Sequence, residues 1–257
     1  MKKLVLILLA FMPIAVLAST FTAKVEDTKV FTSVNVQKLN TKGSLDFVTT
    51  VPISPEGKFT FSDEIKTAEI YNLVFTAAAG QSPTQHVILL PGENVNITYG
   101  MVYNMLGIKS VEGSENMKFM QQFQDEYYKI SVVAAEAEKK FADAKTPVEQ
   151  QMIQQEFYAA MSATQAKTKT LVSNNTHLLA AALVGYSEFS ESVVEAKSGV
   201  LKKVYETQKA LYPENYIIKE IGRLVENPIE IGKKAPNIEL PGVDGNIIRL
   251  SSLRGQV

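Results

Sequence analysis

The spacing of apolar residues changes near Gly113, and this change constrains the fold more than any other feature of the chain. Before Gly113, apolar and polar residues alternate in short runs, as in residues 30–36, which is the pattern of a half-buried strand. After Gly113, the apolar residues between Met120 and Phe141 recur every three or four positions and line one face of a helix. The sequence therefore predicts an α+β chain, in which an N-terminal antiparallel β-sandwich is followed by a helical region.

Two turns are predicted in the β region. Residues 54–57 read Ser-Pro-Glu-Gly, the residue order of a type I turn, and we expect them to join residues 46–53 to residues 58–62 in a hairpin. Pro91 and Gly92 suit a type II turn, because Pro presets φ and Gly accepts a positive φ. They predict a second hairpin. Seven or eight short strands are expected in all.

The helical region carries one strong start signal. Thr146 can cap a helix, Pro147 fits the first helical position, and Glu149 completes a capping box. The helix that begins here is expected to end near Val172, and the short loop before it predicts an antiparallel helical hairpin. Further helices are predicted over residues 177–186, 200–212 and 214–225.

Several side chains could suggest a metal site. Six methionines could indicate copper handling, but their spacing predicts core positions, which Met often fills: Met101, Met105, Met117, Met120, Met152 and Met161. His86 and His177 are the only histidines, and no cluster of metal ligands accompanies either one in the sequence. We assign no catalytic, cofactor-binding or metal-binding residue.

Charge and cysteine content exclude two classes of function. The chain has 26 basic and 27 acidic residues, so a basic surface for nucleic acid is not expected. It has no cysteine, which excludes disulfides, thiolate metal sites and cysteine nucleophiles within these 257 residues.

The N-terminus has the three parts of a secretory signal. Lys2 and Lys3 form a positive start, and residues 4–17 form an apolar run of 14 residues interrupted only by Pro13. Cleavage is expected after Ala18, because Val16, Leu17 and Ala18 place small or permitted residues before Ser19. The apolar run is too short for a typical membrane-spanning helix, which argues against a permanent anchor. Residues 1–18 are therefore predicted to be a signal peptide, and the mature protein is expected in the periplasm or outside the cell, with no membrane span.

The last 27 residues have a clear local pattern. Residues 237–240 alternate, Asp244 and Gly245 form a tight turn signal, and residues 246–250 return as a partner strand. Ser251 can cap a single helical turn, and Gly255 can end it in the left-handed conformation.

This segment resembles the opening of thioredoxin-like proteins of the TlpA/ResA and peroxiredoxin-related (AhpC/TSA, redoxin) type. The matching positions are Gly232, Ala235, Pro236, Leu240, Gly245, Leu250, Ser251, Leu253 and Gly255. In that family the pattern implies a further buried strand and then a Trp-Cys-x-x-Cys site at a helix N-terminus, where the thiol pKa is lowered. None of those active-site residues occurs in this chain, so no catalytic residue is carried over.

The β region resembles the small domain of unknown function (DUF4369) that precedes thioredoxin-like domains in Bacteroidetes-type envelope proteins. The resemblance lies in residues 57–61, 90–95 and 111–116. The expected divisions are residues 1–18 as signal peptide, 19–113 as β-sandwich domain, 114–228 as helical region, and 229–257 as the start of a truncated thioredoxin-like domain. The pattern leaves open whether the β and helical regions form one domain or two.

Two functional hypotheses follow. The resemblance implies the N-terminal, non-catalytic portion of a periplasmic thiol-disulfide oxidoreductase, cut off before its reactive cysteines. This portion would position the thioredoxin-like domain or select its client proteins. Its expected partners are client proteins or redox partners in the envelope. The alternative is a non-enzymatic envelope module for binding or assembly.

Overall fold

The structure, a computed structural model, describes residues 17–27, 30–77, 82–226, 239–242 and 246–253. The chain divides into two compact units. The first runs through Leu171 and includes Leu178–Ala180, and the second holds Val172–His177 and the residues from Ala181 onward. Strands dominate the first part of the chain and helices the second, so the predicted α+β class is confirmed.

Eight strands form two four-stranded sheets in the first unit. In chain order they are β1 Leu17–Val25, β2 Phe31–Leu39, β3 Leu45–Pro52, β4 Lys58–Ile65, β5 Glu69–Ala77, β6 Thr84–Leu89, β7 Asn94–Val102 and β8 Met105–Glu112. One sheet has the order β4-β1-β7-β8 and the other the order β3-β2-β5-β6. Every pairing is antiparallel except that of β1 with β7, which is parallel.

Aromatic side chains fill the space between the two sheets. Phe75 on β5 lies 5.8 Å from the ring of Phe59 on β4 and 5.4 Å from that of Tyr99 on β7. Phe61 on β4 lies 5.4 Å from Tyr71 on β5. The two contacts of Phe75 are edge-on, a geometry that favours aromatic packing beyond the area that is buried. The alternation of each strand thus supplies one apolar face, and the two faces make one core.

The first predicted hairpin is wrong, although its turn is present. Gly57 N–H donates to the carbonyl of Ser54 at 2.8 Å, and Gly57 has a φ of 81°. However, β3 pairs with β2, whereas β4 pairs with β1 in the other sheet. The N–H of Ile53 donates to the carbonyl of Thr32 instead of extending a ladder to β4. The turn therefore carries the chain from one sheet to the other.

The second predicted hairpin fails in the same way. Glu93 N–H donates to Leu90 O at 3.0 Å and Gly92 has a φ of 74°, as a type II turn requires. The flanking strands β6 and β7 nevertheless belong to different sheets. A type II turn splays the strands that it joins, because its twist does not match theirs. It therefore suits a passage between sheets better than a hairpin.

A hairpin that the turn signals did not indicate joins β7 to β8. Tyr103 and Asn104 have φ values of 47° and 64°, and Val102 lies opposite Met105. Two central residues with positive φ make a type I′ turn, whose twist matches that of paired strands. The usual Asn-Gly or Asp-Gly signal is absent here, so the sequence pattern did not reveal it.

Seven helices follow the strands in the described part of the chain. They are α1 Glu115–Tyr127, α2 Lys129–Asp143, α3 Pro147–Asn174, α4 Leu179–Phe189, α5 Val193–Lys197, α6 Val200–Gln208 and α7 Tyr216–Glu226. The helix expected from Met120 to Phe141 is two helices, which meet at Tyr128. The start of α3 and the approximate positions of α4, α6 and α7 agree with the predictions.

Helix α1 covers one side of the sandwich, along which β6 and β8 are the edge strands of their sheets. The edge N–H of Ile88 on β6 donates to Met117 Sδ at 3.3 Å, and the N–H of Ile108 on β8 donates to Gln124 Oε1 at 3.0 Å. Covering an edge with a helix satisfies backbone groups that would otherwise be open to pairing with another chain.

The second unit contains most of α4 together with α5, α6 and α7. Leu201 on α6 and Ile221 on α7 are completely buried. The Glu195 carboxylate accepts from Val200 N–H at 2.8 Å and so caps the start of α6. None of the helices in the residues that the structure describes is long and apolar enough to cross a membrane.

Candidate functional site

The segment that carries the family resemblance forms a short hairpin. Strand β9, Glu239–Pro241, pairs antiparallel with β10, Ile247–Arg249, and Leu240 lies opposite Ile248. The two strands predicted over residues 237–240 and 246–250 are present, at residues 239–241 and 247–249; Asn246 lies before β10, and Leu250 begins a helical turn. The predicted turn at residues 244–245, the first two residues of the first strand and Gly255 lie outside the described residues.

The apolar side chains of this hairpin are exposed. Leu240 is 63% exposed, Ile247 64% and Ile248 47%, so both of its faces present apolar surface. An ion pair of 2.8 Å joins Arg249 to Glu239 across the strands. An isolated two-stranded hairpin is only marginally stable in water, and it gains stability when further strands or a helix cover it. Among the described residues, no further strand or helix covers the apolar side chains of this hairpin. The hairpin therefore resembles one part of a larger sheet.

The helical turn after the hairpin differs in detail from the prediction. A single 3-10 turn begins at Leu250 and ends at Leu253, whereas a turn capped by Ser251 would begin two residues later, at Ser252. The Ser252 hydroxyl donates to the carbonyl of Arg249 at 2.6 Å and holds the turn against the end of β10. Strand, strand and helical turn therefore follow each other in the expected order.

The helices α2 and α3 form a second feature, called here the helical hairpin, and its turn is fixed by the predicted capping box. Glu149 N–H donates to Thr146 Oγ1 at 3.2 Å, and Thr146 N–H donates back to Glu149 Oε2 at 3.0 Å. The N–H of Lys145 also donates to Glu149 Oε2, at 2.8 Å. These backbone hydrogen bonds lower the pKa of Glu149, because they favour its charged form.

Ion pairs run along one edge of the helical hairpin. Lys140 on α2 lies 3.6 Å from Glu156 on α3, and Lys167 further along α3 lies 2.9 Å from Glu126 at the end of α1. This order of contacts shows that α3 runs antiparallel to α1 and α2. The edge of the helical hairpin that carries these two ion pairs is called here the closed edge. The hydrogen bonds that Lys129 and Lys167 donate to Glu126 lower the pKa of Glu126.

Between α2 and α3 the structure leaves an open groove of about 220 Å³. Its walls are apolar except at the rim, where Glu138 and Gln154 lie. The apolar lining residues are Ala134, Ala137 and Phe141 on α2 and Ile153 and Phe157 on α3. Helix α2, which the structure describes from end to end, has no buried residue. The helical hairpin thus offers an apolar groove that its own two helices do not fill.

A buried polar network joins α1, the helix that leads into the helical hairpin, to the sandwich. Gln124 Nε2 on α1 donates to Gln85 Oε1 on β6 at 2.7 Å, and Gln85 Nε2 donates to Leu106 O on β8 at 2.7 Å. The Tyr128 hydroxyl, at the junction of α1 and α2, donates to the same carbonyl at 3.3 Å. Both glutamines are buried, so each bond is shielded from water.

The methionines divide into two groups. Met117 and Met120 lie on the buried face of α1, as predicted. The other four are exposed, and the prediction of core positions for them is wrong: Met101, Met105, Met152 and Met161. Met101 and Met105 flank the β7–β8 turn, and Met152 and Met161 lie on α3, where no second layer of structure covers them in the described chain.

Neither histidine lies in a cluster of metal ligands. His86 lies on β6 and His177 lies between α3 and α4, and both are exposed. Within the ranges that the structure describes, no group of three or more His, Asp or Glu residues is placed to hold a metal ion. The exposed apolar surfaces of the β9–β10 hairpin and of the helical hairpin are therefore the features that suggest function.

No protein-family model matches the chain, and no curated protein matches it. The likeness to thioredoxin-like proteins and to the β domain that precedes them remains a prediction from the residues that carry it.

Proposed function

We propose that this chain is the N-terminal, non-catalytic portion of a periplasmic thiol-disulfide oxidoreductase. The observation that carries the proposal is the β9–β10 hairpin, whose Leu240 and Ile247 are about two-thirds exposed. In a thioredoxin-like domain such a hairpin and helical turn would lead into a buried strand, and further strands would cover these side chains. The hairpin of this chain has the order of elements that this role needs.

The role of the described residues would be to position or to select. The chain has no cysteine, so thiol exchange would need a Cys-x-x-Cys pair outside these 257 residues. The sandwich and the helical hairpin would then hold that domain near its client proteins or choose among them. They would contribute contacts and orientation, and the thiolate at a helix N-terminus would supply the chemistry.

Reading the nucleotide sequence beyond codon 257 tests this proposal. We expect an open frame that encodes one apolar strand and then a Cys-x-x-Cys pair at the start of a helix. A downstream sequence that encodes no paired cysteines in any frame would contradict the oxidoreductase assignment. A frameshift that restores the pair in another frame would support it.

Export through residues 1–18 is part of the proposal. Cleavage after Ala18 would make Ser19 the first residue and would remove the first two residues of β1. Ser19 is fully buried, and its hydroxyl donates to Leu90 O at 2.8 Å and accepts from Gly92 N–H at 3.0 Å. The anchor of β1 on the type II turn would therefore be kept. N-terminal sequencing of the exported protein should read Ser-Thr-Phe-Thr, and an intact Lys-Lys leader would contradict export by cleavage.

A second candidate function is a non-enzymatic envelope module for binding or assembly. The open groove of the helical hairpin favours it, because apolar walls without a cover are typical of interaction sites. The same nucleotide reading separates the two candidates. Paired cysteines downstream favour the oxidoreductase, and their absence favours the module.

A further inference from the structure

We propose that the open groove of the helical hairpin binds the helical hairpin of a second copy of this chain, so that four helices form the core of a dimer. This inference does not depend on the proposed redox function.

The first reason is the packing of α2. The helix has 15 residues and none of them is buried. Helices of about this length are marginal by themselves in water, and most of their stability comes from packing an apolar face. Two helices side by side cannot enclose such a face, whereas four helices can. A second pair of helices would supply the missing layer.

The second reason is the shape of the groove. Ala134 and Ala137 are small, and Phe141 and Phe157 beside them are large, so the walls alternate between holes and knobs. The positions from Ile130 through Ala134, Ala137 and Phe141 are spaced by four, three and four residues, which is the heptad spacing of helices that pack by knobs into holes. In a two-fold dimer, large side chains of one copy can face small ones of the other.

The third reason is that the ion pair between the two arms lies outside the groove. Lys140 and Glu156 join α2 to α3 along the closed edge, and neither residue lines the groove. The groove has Glu138 and Gln154 at its rim and presents its apolar lining between them. A partner helix can therefore approach the groove without separating the two arms.

The fourth reason is charge, which favours a second copy over a strongly charged partner. The helical hairpin, residues 129–174, carries six basic and five acidic residues, a net charge of +1. These are Lys129, Lys139, Lys140, Lys145, Lys167 and Lys169, with Glu136, Glu138, Asp143, Glu149 and Glu156. Two such hairpins repel each other little by net charge, and a net charge near zero promotes association.

The size of the face sets the expected strength. At a rise of about 1.5 Å per residue, α2 is roughly 22 Å long, and two adjacent helices are roughly 20 Å wide. The face is thus about 450 Å² per copy and about 900 Å² for the pair, somewhat below the size of standard stable interfaces. We therefore expect a dimer that dissociates on dilution.

Sedimentation equilibrium of the chain without residues 1–18, over a wide range of concentrations, tests the proposal. The wild type should pass from monomer to dimer as the concentration rises. Ala137→Glu places a charge in the groove and should weaken the dimer at least tenfold. Met152→Glu is the matched control, because Met152 is an exposed apolar residue of the same hairpin that does not line the groove, and it should leave the association unchanged.

Cross-linking gives a second readout that does not depend on the stability of a groove variant. The chain has no cysteine, so a single Cys can be introduced without background. Gln154→Cys, at the rim of the groove, should give a covalent dimer with a short bis-maleimide linker at high concentration, and Met152→Cys should give much less. A wild type that stays monomeric at every concentration would overturn the proposal. So would equal cross-linking at both positions, or equal weakening by Ala137→Glu and Met152→Glu.

Discussion

Replacing Gln124 by leucine probes the network that fixes α1 to the sandwich. Leucine is close to glutamine in size but cannot form hydrogen bonds, so the change leaves Ile108 N–H and Gln85 Oε1 without the bonds that Gln124 now makes at 3.0 and 2.7 Å. A buried polar group that loses its partner costs about 1–3 kcal/mol. With two such groups, and with a small gain from the added apolar surface, we expect Gln124→Leu to lower the free energy of unfolding by about 2–4 kcal/mol.

Urea unfolding followed by circular dichroism measures this loss, and hydrogen exchange at Ile108 localises it. Gln121→Leu is the matched control on the same helix, because Gln121 Nε2 donates to Lys109 O at 2.8 Å in an exposed position. It should cost less than about 1 kcal/mol. In the double variant with Gln85→Leu the loss should be smaller than the sum of the two single losses, because the two glutamines are bonded to each other. Equal losses for Gln124→Leu and Gln121→Leu would refute the reasoning.

Three further changes follow from local geometry. Glu149→Ala removes half of the capping box and should lower the stability of the helical hairpin by about 0.5–2 kcal/mol, seen as faster hydrogen exchange in the first turn of α3. Gly113→Ala should lower the melting temperature by several degrees, because Gly113 has a φ of 83° and an added Cβ would collide with the Asn94 carbonyl. Burial raises the pKa of Asp63, but hydrogen bonds from Tyr71 and Lys38 lower it by more, so that the pKa lies below its ordinary value. The wild type should therefore lose stability as pH falls from about 4 through this lowered pKa, and Asp63→Asn should show a flatter profile in acid unfolding.

Features fixed by neighbouring residues could be predicted from the sequence. The Thr146–Glu149 capping box needs only residues three positions apart, and both of its hydrogen bonds form. The turns at Gly57 and Gly92 need only a local positive φ, and both are present. In each case the chain satisfies its own backbone groups without help from distant segments, so the local pattern is sufficient.

The pairing of strands could not be predicted in the same way. An alternating run predicts a strand and its buried face, but it does not identify the neighbour. β3 and β4 are adjacent in sequence and lie in different sheets, whereas β1 and β7 are far apart and pair in parallel. These choices depend on how the two apolar faces meet around Phe75 and Tyr99, which is a property of the whole unit.

Exposure at the helical hairpin also escaped prediction. The periodic spacing from Met120 to Phe141 is regular, yet Met120 is buried and Phe141 is 37% exposed. The difference arises because α1 packs on the edges of the sandwich, whereas the apolar residues of α2 from Ala134 to Phe141 line the open groove beside α3. An apolar stripe shows which face can be covered, and the cover itself depends on tertiary or quaternary structure.

Peptide mapping of the native protein, isolated from the envelope with its thiols alkylated, tests most directly whether the β9–β10 hairpin opens a redox domain. We predict that molecules containing the peptide around Leu240 also yield a downstream Cys-x-x-Cys peptide whose thiols become alkylated only after reduction. A native protein whose last peptide ends at Val257, with no thiol detected before or after reduction, would contradict the oxidoreductase assignment.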